Sequence, residues 1–465
     1  MVIYDLWHAD DGFSVQGEEL DGDVRCWPRP KNGKSLTLRL EELTHFDVST
    51  RIEARSRNLL RMQRAKERQD INHLEVHYTC CIDAKHRKAI EDLLLCDTRK
   101  WISFTMNGVN GIADLYARPA PLEDLGTLFM ALRSVEILNL NSSPCFRGHG
   151  LDAILKTIPF YSNLRELRLQ GWQLDRVSVD SLGKALQDSP ASKISLLSMR
   201  SCAFLGNSVF NELLEILETM AYLKTLNLSY CNLQDWHIMS LVQKLKAHES
   251  LQCLHIGGNE CLTPASVQAV ADWVGSESCN LYDLNLRALW VSYSEEGLLR
   301  RPVDFSCLYN AIARNTSLRR LIFSENYVED EDMVRLVDAF VQKGSLAHVD
   351  VGENPFSEKG ALVLLDYLKR CPSLESVRFE NLCIPYQCAD AIKMQARVHF
   401  FEQRISSAGV PLSLWPAIFS HLHNGNGDSS YTNDDSPDLI YHFLQTTTGD
   451  NGLPLSFRIA AAGVN

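Results

Sequence analysis

Nine times between residues 135 and 379 the chain returns to one frame, with apolar residues at its first, fourth and sixth places. It runs from Val135-Glu136-Ile137-Leu138-Asn139-Leu140 to Leu374-Glu375-Ser376-Val377-Arg378-Phe379. The leading residues are Val135, Leu164, Ile194, Leu223, Leu251, Leu281, Leu318, Leu346 and Leu374, in steps of 29, 30, 29, 28, 30, 37, 28 and 28 residues. A register held this long implies units that cannot bury an apolar face alone and therefore stack on their neighbours. A chain of 465 residues would otherwise be expected to divide into several globular domains. A stack escapes that rule, because each unit touches only the ones beside it.

Each unit changes period halfway. Its first part alternates, which points Leu223, Leu226 and Leu228 inward and Thr225, Asn227 and Ser229 outward on a strand. Its second part follows i, i+3, i+4, i+7 spacing. Ile238, Leu241, Val242 and Leu245 show this, as do Met333, Leu336, Val337 and Phe340, so each return segment is predicted to be an amphipathic helix. Asp235 and Ser357 stand where N-caps are wanted. Strands stack at roughly 4.8 Å and helices at roughly 8–10 Å, so the stack must curve with its strands inside. The ninth place holds Cys202, Cys231, Asn259, Asn326 and Asn354, small donors suited to bonding turn carbonyls. Trp172, Leu289 and Leu382 depart from that pattern, and the bonding ladder is expected to break at each.

Long units with full helices resemble the ribonuclease-inhibitor-like class of leucine-rich repeat, over about residues 135–384. The resemblance implies an α/β fold, a right-handed horseshoe solenoid with parallel strands on the concave face and helices on the convex face. It also implies a non-enzymatic scaffold for protein–protein interaction. Three domains are expected: an N-terminal cap with degenerate repeats over 1–134, the solenoid over 135–384, and C-terminal capping helices over 385–465 with a flexible linker near 424–437. The degenerate units are read at Arg99–Val109 with Ile102 and Phe104 inward, at Ile71–Cys81 with Leu74 and Val76 inward, and at Ser35 with Leu38 and Leu40. The 37-residue step carries about nine extra residues, placed as a loop within Val291–Phe305. Tyr386–Ile405 reads as a capping helix. The tail is similar to that of leucine-rich repeat proteins from unicellular algae, which lend it no biochemical role.

A net charge of −12 argues against nucleic-acid binding, which draws on a basic surface. The local exception, Arg51 to Arg68, has seven cations against two carboxylates and reads as a solvated helix face. No apolar run reaches the roughly 18 residues of a membrane span, and the start has no signal-peptide pattern. Fourteen scattered cysteines fit a reducing compartment. The expected protein is a monomer of the cytoplasm or nucleus.

A search for chemistry finds little. Asn32-Gly33-Lys34-Ser35 imitates the end of a phosphate loop, but Pro28 occupies the place of its first glycine. His248-Glu249 begins a zinc-protease pattern that Gln252 then breaks. His77, Cys80, Cys81 and His86 do not converge, because adjacent strand residues face opposite ways. No catalytic residue, cofactor or metal is expected. Ran GTPase-activating proteins share the repeat class, and a regulator of that kind is the least favoured reading, because their functional arginine is not matched to a residue here. Pro411, Leu414, Ile418, Phe419 and Leu422 are similar to the core of an F-box, which implies a ubiquitin-ligase substrate adaptor as the alternative reading. Recognition is expected on the concave face, where Arg168, Trp172, Arg200, Tyr230, Arg287 and Trp290 would line a surface for a protein partner with a partly acidic face.

Overall fold

The structure is a computed structural model. It describes residues 34–39, 71–78, 84–95, 101–108, 151–187, 193–259, 262–289, 304–371, 376–379 and 384–392 continuously, and 57, 59, 60, 62, 63, 65, 129, 130, 132–141, 373, 374 and 395 besides.

The first strands are β1 (Lys34–Arg39), β2 (Ile71–Tyr78), β3 (Ser103–Gly108), β4 (Ile137–Asn141) and β5 (Glu166–Gln170), with helix α1 (Ala84–Leu94) after β2 and α2 (Leu151–Leu155) after β4. The strand–helix alternation then becomes regular. A short β6 (Gln173–Leu174) and α3 (Arg176–Gln187) are followed by β7 (Leu196–Ser198), β8 (Ala203–Phe204), α4 (Asn207–Thr219), β9 (Thr225–Asn227), α5 (Asp235–Leu245), β10 (Cys253–His255) and α6 (Pro264–Val274). The remaining elements are β11 (Asp283–Asn285), α7 (Ser306–Arg314), β12 (Arg320–Ile322), α8 (Asp330–Lys343), β13 (His348–Asp350), α9 (Glu358–Arg370) and β14 (Ser376–Arg378).

Twelve of these strands form one sheet in chain order from β1 to β14, with β6 and β8 pairing separately. All pairings are parallel, and the sheet stays open, with β1 and β14 as its ends. A parallel ladder whose crossovers from β4 onward carry helices gives the α/β horseshoe expected from the repeat. The register follows the frame: Leu226 pairs with Leu254, Leu254 with Leu284, Leu284 with Leu321 and Leu321 with Val349.

The core lies between sheet and helices. Leu223, Leu226 and Leu228 are fully buried there against residues such as Ile238, Leu241 and Leu245. Thr225, Asn227 and Ser229, expected in solvent, are buried too. They are short side chains on strands about 4.8 Å apart, and longer neighbours wall them in. The N-terminal units extend the same sheet, with a shift in two of them. Leu74 and Val76 are inward as expected, but the buried pair of the third strand is Phe104 and Met106, and Leu36 and Leu38 are the residues in register with Leu74 and Val76. Residues 386–392 are helical, and most of the rest of the Tyr386–Ile405 stretch read as a capping helix lies outside the described residues. Phe305, placed in the loop by the sequence, is buried at the start of α7.

The ninth-place ladder is present, and one expected break is absent. Asn259 is fully buried; its Nδ2 donates to Leu228 O (3.0 Å) and Ile256 O (2.6 Å), and its Oδ1 accepts from the amides of Cys231 (2.9 Å) and Leu233 (3.0 Å). Asn354 repeats the pattern toward Phe323, Val351, Asn326 and Val328. Cys202 and Cys231 supply the donor half, to Leu169 O at 3.1 Å and Met199 O at 3.0 Å. Burial drives both thiols up, Cys202 to about 12, so they stay protonated donors. Trp172 does not break the ladder, because its indole Nε1 reaches Leu140 O at 2.8 Å and supplies the missing donor. Leu289 does break it, having no polar atom to offer. Leu382 lies outside the described residues.

Helix starts show a related stitching. Ser357 caps α9 as expected, accepting from Lys359 N at 3.2 Å. Asp235 does not cap its own helix. It is the first residue of α5, whose cap is Gln234, and its carboxylate takes the amide of Thr263 in the next unit at 2.8 Å.

Candidate protein-binding rim

The strand face ends in a turn whose geometry repeats at the eighth place of the frame. Gly171, Ser201, Tyr230, Gly258, Ala288, Glu325 and Glu353 all have positive φ, between 48° and 74°. The cause is visible in the backbone. Six of the seven eighth-place amides extend the parallel ladder by donating to the seventh-place carbonyl of the next unit, among them Ser201 to Ser229 O (2.8 Å), Tyr230 to Gly257 O (2.9 Å), Ala288 to Ser324 O (3.0 Å) and Glu325 to Gly352 O (3.1 Å). Only a left-handed residue turns the chain that way. Glycine does so freely, whereas an L side chain costs about 1–2 kcal/mol. Five of the seven positions nevertheless carry a side chain.

Those side chains meet along the rim. The Arg200 guanidinium lies over the Tyr230 ring, 4.8 Å from its centroid. The ring in turn lies over Gly258, where an added Cβ would come within 2.4 Å of it, so that unit must have glycine. Arg287 reaches across two units. Its Nε donates to Glu325 Oε1 at 2.6 Å, its Nη2 bonds the same oxygen, and Nη2 stands 3.3 Å from Glu353 Oε1. Tyr230 is 41% exposed, and the Arg287 and Glu325 side chains are each 31% exposed. The rim therefore runs from a cation–aromatic stack to a cation held between two carboxylates, with the second end net acidic.

Of the six residues read from the sequence, Arg200, Tyr230 and Arg287 come together here. Arg168 lies one unit before Arg200 and is paired with Glu166 at 2.9 Å. Trp172 is fully buried in the ladder and lines no surface. Trp290 lies outside the described residues, as do the loop at 291–303 and the F-box-like stretch. Sequence reasoning missed Glu325 and Glu353. The glycines at 171 and 258 were the available signal that the eighth place is left-handed and turns its side chain onto the rim.

Deeper in the strand face lies a second polar group. His255 Nε2 is 3.7 Å from Asp283 Oδ1, and Arg320 Nη1 is 3.5 Å from Asp283 Oδ2, with His255 and Asp283 both buried. Asp283 neutralises Arg320 within the sheet. Among the described residues no group of three or more His, Cys, Asp or Glu is placed to hold a metal ion. No described helix is long and apolar enough to cross a membrane.

An open parallel sheet with a helix after each regular strand, stitched unit to unit by ninth-place donors, defines an α/β solenoid that offers an extended surface. A family model described as Leucine Rich repeat matches residues 219–235, from the end of α4 through β9 into α5. No curated protein matches the sequence significantly. Among solved structures, an internalin from Listeria monocytogenes is similar at 14% identity over 66% of this chain and 72% of that one, with a TM-score of 0.35. The yeast Rad7 and Elc1 complex contains a chain similar at 12% identity, covering 68% of this chain and 78% of that one, with a TM-score of 0.41. The tropomodulin C-terminal domain of Caenorhabditis elegans is similar at 10% identity over 43% of this chain and 99% of that one, with a TM-score of 0.27. At these values none of the three bears on function.

Proposed function

We propose that this chain is a non-enzymatic protein-interaction scaffold, acting as a monomer, whose partner docks on the rim formed by Arg200, Tyr230, Arg287, Glu325 and Glu353. The observation that carries the reading is the retention of side chains at left-handed positions where glycine would fold more easily. Backbone strain kept in register over successive units marks side chains selected for something other than stability. Tyrosine and arginine are also the residue types that dominate interface energetics. The partner's acidic part lies opposite Arg200, and its basic part opposite Glu325 and Glu353.

Glycine substitution tests this cleanly, because it deletes the side chain and relieves the backbone together. Affinity capture from native lysate with quantitative mass spectrometry would compare wild type with a Tyr230→Gly/Glu353→Gly double variant. The expected result is loss of the main partner with a melting temperature no lower than wild type. Capture of the same partners at the same stoichiometry by the well-folded variant would refute the proposal.

A further inference from the structure

The helix-to-strand turn of the sixth unit holds reactive groups that the rim does not use. α8 ends at Lys343, whose Nζ reaches back to the end of α7 and donates to Asn315 O at 2.6 Å and to Asn315 Oδ1 at 3.1 Å. The carboxamide carbon lies one ~1.2 Å bond beyond Oδ1, so Nζ is at most about 4.3 Å from it. The same Oδ1 accepts from the backbone amides of Ser317 at 3.0 Å and Leu318 at 2.7 Å. Nδ2 is held by Val274 O at 2.8 Å, and Asn315 is buried. An amine therefore touches a carboxamide whose oxygen already faces two amide donors.

We propose that Lys343 and Asn315 join in an intramolecular isopeptide bond. Neutral Nζ attacks Cγ, forming the new C–N bond, and negative charge grows on Oδ1 where the Ser317 and Leu318 amides act as an oxyanion hole. The Cγ–Nδ2 bond breaks and Nδ2 leaves as ammonia, carrying the proton that Nζ gives up. Amine plus carboxamide yields secondary amide plus ammonia, with no oxidant or reductant. Burial and, after it, the Arg319 cation hold Lys343 down to about 8, so a useful fraction is unprotonated near neutral pH. Fixed contact replaces the entropy cost of bringing the two groups together.

The test is the intact mass of the purified full chain, followed by peptide mapping. Wild type should be lighter than its sequence by ~17 Da, the mass of ammonia released when a lysine amine takes the carboxamide. Digestion should give one branched peptide joining the Asn315 and Lys343 segments. Lys343→Arg, which keeps the charge but has no nucleophilic amine, should run at full mass, and formation in fresh protein should speed up as pH rises through 8. Full mass for wild type after incubation at pH 8–9 would overturn the proposal, as would the same loss in Lys343→Arg or a loss mapped to other residues.

Discussion

Replacing Asn259 by alanine tests the ladder where it is most fully made. The side chain has no exposure and forms four hydrogen bonds, two given and two taken, all to backbone groups of its own and the preceding unit. Alanine leaves the carbonyls of Leu228 and Ile256 and the amides of Cys231 and Leu233 without these partners. Leaving a buried polar group unsatisfied costs about 1–3 kcal/mol. Four such groups, discounted because neighbours relax and costs do not add fully, give about 3–5 kcal/mol. Cys231→Ala serves as the internal comparison, because its thiol gives one good bond at 3.0 Å and a weak one at 3.5 Å; about 1–2 kcal/mol is expected there. Urea denaturation followed by tryptophan fluorescence measures both. Hydrogen exchange should show the loss at the Cys231 and Leu233 amides first, since a repeat stack opens locally. If Asn259→Ala costs no more than Cys231→Ala, the four bonds do not hold the units together as described.

Ser201→Gly should stabilise the protein by about 0.5–1 kcal/mol, since Ser201 is exposed with φ 56° and glycine relieves the turn; a lower urea midpoint would contradict the strained-rim reading. Trp172→Phe keeps most of the packing but orphans Leu140 O, so it should cost about 1–3 kcal/mol, and a neutral result would remove Trp172 from the ladder. His237 is held down from 6.5 to about 4 by burial, while its Nδ1 accepts from Gln234 N at 2.9 Å. Its folded-state value is the lower one, so the unfolded chain binds the extra proton between these limits. The stability it contributes is present above pH 6.5 and is lost as pH falls toward 4. Stability measured across that window should fall less steeply in His237→Gln than in wild type, and parallel curves would show that the imidazole is not protected.

How far the fold could be read in the sequence depended on how much was periodic. The first, fourth and sixth places settled the strand register and the core, since nothing but a stack satisfies so regular an apolar frame. The ninth place was read correctly as a donor position, yet a list of small donors hid Trp172, whose indole does the same work from a larger ring. Asp235 was misassigned because a carboxylate near a helix start can bond its own turn or the next unit's, and sequence does not distinguish them. The rim was half visible. Arg200, Tyr230 and Arg287 were recognisable by residue type, but Glu325 and Glu353 matter through a backbone sign that only the recurring glycines betrayed. The contact between Lys343 and Asn315 left no trace, because 28 residues separate two ordinary residues.

The missing donor at Leu289 has a mechanical consequence. On the strand side, the units before and after it are sewn by asparagines, while at that point the seam has backbone bonds such as Gly258 N to Arg287 O (2.6 Å) without the side-chain stitch. On the opposite side, Asn315 ties α6, α7 and α8 together through Val274 O and Lys343. A curved spring that is one stitch short along one edge and riveted along the other has a built-in direction of compliance. Under load this horseshoe should open at its sixth unit by swinging about the Asn315 edge, with the two sewn arcs moving as stiff arms.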